Sequence, residues 1–350
     1  MSIGPFVPVP QGTAIVNPEA GGSGAPPLPH ISNAQFQFAP TAVSGTSLIK
    51  GGTPQQNAQA LADTILQASR WADDICFGQD PSDTGASLAA SLAVESATIR
   101  IKKGELRLLS NYRPLVQLVG VAVGSGMSTL ANIDSSLFAM ARPGRRTWTI
   151  PFAGPNMLFR SGDSAVSTPY SGAAGAVYCV WSNVTGFPHT KLLDAVAANA
   201  TTCVVASTDG NGGLWGVFPA SGGFPGSRLR IVDQGNTESI FVQSIAVNTP
   251  SAGQTTLTTS AFVYAHTIPT APDFIPVTAI PETIGRAVIS LAACLIKLQG
   301  SRAMVMSSTV GGKPSKQALA QAGAMEDFEI AEQILNDAGV IVRVKRPGSY

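Results

Sequence analysis

Three side chains in this chain offer an imidazole base, His30, His189 and His266, and each stands beside a turn signal. His30 follows Pro29 in a proline-rich stretch, His189 follows Gly186-Phe187-Pro188, and His266 lies in "VYAHTIP". Each reads as a turn or surface histidine bonded to backbone. Nucleophilic or hydrolytic chemistry would need a partner motif, and no G-x-S-x-G, P-loop, H-E-x-x-H or G-x-G-x-x-G is found. "DGNGGLWG" (209–216) is rich in glycine but lacks the Lys-Ser/Thr ending and the following helix that cradle a phosphate, so it reads as a loop. Asp73-Asp74 and Glu326-Asp327 are adjacent on predicted helices and therefore point apart, which suits a solvated face. Cys76, Cys179, Cys203 and Cys294 lie far apart with no C-x-x-C spacing, which predicts small buried thiols in a reducing compartment. The expectation is a protein that is not an enzyme, with no catalytic, metal or cofactor-binding residues.

Basic side chains gather in three small groups: Arg100, Lys102, Lys103 and Arg107; Arg142, Arg145 and Arg146; Arg343, Lys345 and Arg346. Each alone is an ordinary solvated face. Repeated around a closed ring, the first two would build a weak positive collar able to touch DNA phosphates while the subunit itself stays near neutral. The net charge of +1 argues against a dedicated nucleic-acid binder. Charged residues make up 12% of the chain and apolar ones 44%. The usual charged share is about 25%, so much of this surface is expected to meet other protein.

The 350 residues suggest about two domains. The first 49 carry one charged side chain, Glu19, and so lack the basic start of a secretory signal. The longest apolar runs, near 115–123 and 287–296, are far short of the ~18 residues a membrane span needs, so a soluble protein is expected.

Eight prolines with Gly and Ser clusters predict an extended arm over 1–46. Thr53 as N-cap and Pro54 at the first helical position open a helix whose stripe is Leu61, Ile65, Ala68, Ala72 and Ile75. Around Lys102-Lys103-Gly104-Glu105 the alternation reads as a hairpin. Strand-like stretches then continue, separated by Gly, Asn and Pro, to about residue 265. A second helix runs from Pro281 to Gly300 and a third from Ser315 to Asn336. "VIVRV" (340–344) alternates like a strand.

A lone amphipathic helix at 53–77 cannot bury its stripe, and the matching stripes lie at 281–299 and 315–336. The fold class expected is therefore α+β. A small helical bundle from the N- and C-terminal helices (47–92 and 276–339) carries a large β-rich insertion (93–275), with extended N- and C-terminal arms, the latter over 340–350. The insertion divides into 93–188 and 189–275.

"TPQQNAQALADTILQASRWADDICF", "ESATIRIKKGELRLLSNYRPLVQLVGVAVG", "VYCVWSNVTGFPHTKL" and "AHTIPTAPDFIPVTAIPETIGRAVISLAACLIKLQGS" together resemble the head-to-tail adaptor (connector) proteins of long-tailed double-stranded DNA bacteriophages. The large actinobacteriophage type is the nearest form. The likeness covers most of residues 35–336, and its more particular points are the Gly-Phe-Pro turn, the "AH" and the Gly after "IKLQ". It implies a virion structural protein at the neck, assembled in the host cytoplasm. The protein would form a homo-oligomeric ring, usually twelve-fold, below the portal protein. That ring would extend the channel for double-stranded DNA and dock the tail, a stopper or a tail terminator. The family's C-terminal segment reaches the portal, which here points to Val340, Ile341, Val342, Arg343 and Val344.

Two alternatives stand beside it. One is another virion structural protein, a tail-tube or capsid-decoration protein. The other is a carbohydrate-binding module using Trp181, Trp215 and Tyr264.

Overall fold

The computed structural model describes residues 28–41, 43–46, 48–77, 87–100, 105–110, 114–124, 127–132, 142–143, 147–151, 176–209, 212–247, 253–299 and 316–340. Helices and strands are both well represented, and these residues form two compact units. One comprises 90–186. The other comprises the described parts of 28–77, 87–89 and 187–340.

In the first unit, β1 (Ser91–Arg100), β7 (Ala176–Thr185), β3 (Leu115–Gly124) and β4 (Ala131–Asn132) form one antiparallel sheet in that order. β2 (Glu105–Leu109), β6 (Thr147–Pro151) and β5 (Arg142–Pro143) form a second. Side chains alternate across a strand, so Leu106 and Leu108 enter the core while Arg107 stays outside. They pack with Trp148 and Ile150 against Val121, Val123, Cys179 and Trp181 from the larger sheet. Among the described residues, β1 and β2 are not paired with each other as the hairpin expected at 102–105 would have them. β1 pairs along its length with β7, and β2 pairs with β6, so neighbours in sequence enter different sheets. The expected turn itself lies outside the described residues.

The second unit combines helices with a six-stranded antiparallel sheet. Its order is β8 (His189–Lys191), β13 (Pro276–Thr278), β10 (Arg228–Ile231), β11 (Glu238–Val247), β12 (Gln254–Thr259) and β9 (Thr202–Ala206). The sheet curls until its edges meet. Leu192, just past β8, bridges Val205 of β9, and the Leu193 N–H donates to the Val204 carbonyl at 2.9 Å. Meeting edges leave few unpaired ladder groups. Alternate residues point inward and fill the space, among them Leu229, Ile231, Ile240, Val242, Leu257 and Val277.

Three helices pack together beside it: α2 (Pro54–Phe77), α3 (Glu282–Gln299) and α5 (Met325–Asp337). Thr53 and Gln56 form a reciprocal capping box that sets the start of α2: the Gln56 N–H donates to Thr53 Oγ1, and the Thr53 N–H to Gln56 Oε1. Leu61, Ile65, Ala68 and Ala72 of α2 are fully buried, as are Ile284, Ala287, Val288 and Leu291 of α3. Lys297 of α3 meets Asp327 of α5 at 2.6 Å.

Two expectations on the helices need correction. The single helix at 315–336 is broken into α4 (Lys316–Gln321) and α5, because Gly323 adopts φ 65° and ends the first piece. The described part of the 1–46 arm is not simply extended. Residues 33–38 form α1 (Asn33–Phe38), which is capped by Ser32 and Gln35 and buries Phe36. The capping pair S-x-x-Q outweighs the proline content there, since no proline falls between 30 and 39.

Candidate functional site

The expected DNA-facing residues divide differently from their order in sequence. Arg100 ends β1 in the four-stranded sheet and is exposed. Arg107 is exposed on β2 in the three-stranded sheet. Its guanidinium donates twice to Glu105 Oε2, at 2.7 and 3.1 Å. Arg142 stands in β5, opposite Thr149 of β6, and Arg107 is opposite the same Thr149 from the other side. Two strand spacings of about 4.8 Å put Arg107 and Arg142 in one row, about 10 Å apart along the sheet. The row thus takes one residue from each of two sequence clusters. Period-two alternation around Arg107 was legible, but the pairing of β2 and β5 with β6 was not. Lys102, Lys103, Arg145 and Arg146 lie outside the described residues.

Of the expected portal-docking segment, Val340 is described and is 5% exposed. Ile341, Val342, Arg343 and Val344 lie outside the described residues.

The histidines depart most from expectation, since all three are buried. His30 Nε2 donates to Asp73 Oδ1 at 2.9 Å, and the same oxygen accepts the Leu88 N–H at 2.8 Å. Asp73 therefore joins α2 to two flanking segments and is no solvated carboxylate. His189 Nε2 donates to the Pro29 carbonyl at 2.8 Å, and its ring stands edge-on to His30 with centroids 6.0 Å apart. Burial pushes His189 down to about 3, helped by the repulsion of a charged His30 and opposed by the bond to Pro29. A backbone hydrogen bond was expected for His189, but the burial was not. His266 lies between two carboxylates, with Nδ1 at 2.9 Å from Asp233 Oδ2 and Nε2 at 2.9 Å from Glu238 Oε1. Nothing in the local sequence of His30 or His266 reveals a carboxylate dozens of residues away.

Beside His30, the Ser69 hydroxyl accepts the His30 backbone N–H at 3.0 Å and donates to the Ile65 carbonyl at 2.9 Å. Among the described residues no group of three or more His, Cys, Asp or Glu is arranged to hold a metal ion. The four thiols are free and buried. Burial pushes Cys179, Cys203 and Cys294 up to about 12, and Cys76 upward as well, so none is a ready thiolate. Trp181 is 2% exposed and donates from Nε1 to Glu95, so it cannot serve as a sugar-stacking platform with Trp215 and Tyr264.

The surface offers an open groove of about 720 Å³ in the second unit. Phe38, Ile280 and Ile289 line it, with Arg230, Glu282 and Arg286. Phe38 is 70% exposed. An apolar groove with a charged rim suits protein contact better than small-molecule chemistry. Among the described residues no helix is long and apolar enough to cross a membrane. No protein-family model, curated protein or solved structure matches this chain.

Proposed function

We propose that this chain is a ring-forming virion structural protein, a head-to-tail adaptor that sits below the portal, extends the DNA channel and docks the tail or a stopper. The observation that carries the reading is the packing of α2, from early in the chain, against α3 and α5, from its end. On this reading those helices are a small bundle and the β-rich residues between them are an insertion. The first unit then supplies the Arg107–Arg142 row to the lumen, where one row per subunit repeats as a positive collar. The C-terminal segment 340–344 adds a strand to the portal. Low charge and the open groove supply the protein contacts that a ring of copies needs.

A second reading is another virion structural protein, tail-tube or capsid-decoration, and the two packed sheets of residues 90–186 favour it. Electron microscopy of particles carrying a gold-labelled form of this chain separates the two. The adaptor reading predicts label at the head–tail junction alone. Label along the tail or over the capsid overturns it.

A further inference from the structure

His266 is enclosed by groups from four segments. Asp233 follows β10, and Glu238 is the first residue of β11. The Phe262 ring stands edge-on at 6.0 Å, and Val196 exchanges two backbone hydrogen bonds with His266, at 2.8 and 2.9 Å. The imidazole is 0% exposed, Glu238 5% and Asp233 23%. Among the described residues, no other cation lies within ion-pair distance of either carboxylate.

Ionised carboxylates only accept hydrogen bonds. With an oxygen of Asp233 and of Glu238 2.9 Å from the two ring nitrogens, both contacts are bonded to ionised carboxylates when both nitrogens donate. Glu238 does more than pair with it. Oε2 accepts the Val263 N–H at 2.8 Å and Oε1 the Tyr264 N–H at 3.1 Å. Those two residues form an apolar tip, 67% and 41% exposed. The tip is therefore fastened through Glu238, and Glu238 is fastened through His266.

We infer that His266 is a protonation-dependent latch: doubly protonated, it ties Asp233 and Glu238 together and holds residues 260–267 so that Val263 and Tyr264 are presented in one fixed geometry. Loss of one ring proton turns a donor into a lone pair facing a carboxylate at hydrogen-bond distance. That contact is repulsive, and a buried acceptor left unpaired is costly. The segment then loosens as pH rises through the loss of that proton. From the acid side the latch is protected. Burial raises the Glu238 carboxyl, but the Val263 N–H, the His266 ring and the Tyr264 N–H outweigh it and hold it below its ordinary value.

The test is long-range proton–nitrogen NMR on the full chain with labelled histidine, from pH 5.5 to 10, with amide exchange of Val263 and Tyr264 followed in parallel. The His266 signals are assigned by their loss in His266→Gln. The expected result is two protonated ring nitrogens at pH 6, and protection of both amides that falls at least tenfold in step with the ring's deprotonation. In Glu238→Gln the deprotonation moves to lower pH, because one counter-charge is gone. A ring neutral at pH 6, a ring keeping both protons to pH 10, or amides indifferent to the ring's titration would each overturn the latch. So would an unmoved titration in Glu238→Gln.

Discussion

Trp71 of α2 and Phe328 of α5 stack with ring centroids 5.3 Å apart and planes 24° from parallel. This contact ties the early helix to the last one, and Trp71 is 7% exposed. Trp71→Ala is expected to cost about 3–5 kcal/mol, the range for truncating a large buried aromatic. Trp71→Phe is expected to cost far less, because Nε1 has no hydrogen-bond partner among the described residues to lose. A double-mutant cycle with Phe328→Ala should return a coupling of about 0.5–1.5 kcal/mol by denaturant titration.

Acid should weaken the second unit through His189. Its folded value, about 3, lies below the unfolded value near 6.5. A proton therefore binds the unfolded chain more readily, and stability falls as pH drops below 6.5. One group contributes about 1.4 kcal/mol per pH unit in that window. By pH 4 the loss is about 3 kcal/mol. Chemical denaturation between pH 7 and pH 4 should show a shallower decline in His189→Gln, whose amide can still donate to Pro29.

Gly226 and Gly235 both have positive φ, 85° and 71°. A Cβ on Gly226 would run into the Val242 carbonyl of β11, whereas one on Gly235 would meet open space. Gly235→Ala should cost about 1 kcal/mol of backbone strain. Gly226→Ala must also displace a strand and should cost at least about 2 kcal/mol more. Thermal melts of the two variants give the comparison.

The arginine row carries the functional prediction. Arg107→Gln should shift the melting midpoint by no more than about 2 °C, since Arg107 is exposed and its pair with Glu105 is a surface pair. On the assembled ring the same change should lower the log–log salt slope of duplex DNA binding by about 0.9 for each phosphate that is no longer neutralised.

Local signals were readable wherever the chain's own neighbours decide the outcome. Thr53-Pro54, the α2 stripe, Gly339 and the long strands at 115–124, 176–185 and 238–247 are of this kind. Elements three residues long, such as β8 and β13, carry too few side chains for a period and were missed. Pairing between distant segments was also out of reach. The alternation on either side of Lys102–Gly104 is visible locally, but the pairing of β1 with β7 and of β2 with β6 is set by segments far along the chain. The histidine sites belong to the same class: His30 meets Asp73, and His266 meets Asp233 and Glu238, only after the segments have folded together. The low charge was visible from composition alone.

Cross-linking mass spectrometry on intact particles, reading the neighbours of Lys50 and Lys345, tests the adaptor assignment most directly. The account predicts links from Lys345 to a portal subunit, and links from Lys50 to a second copy of this chain or to a tail-side protein. Links from both lysines only to capsid or tail-tube subunits would contradict it.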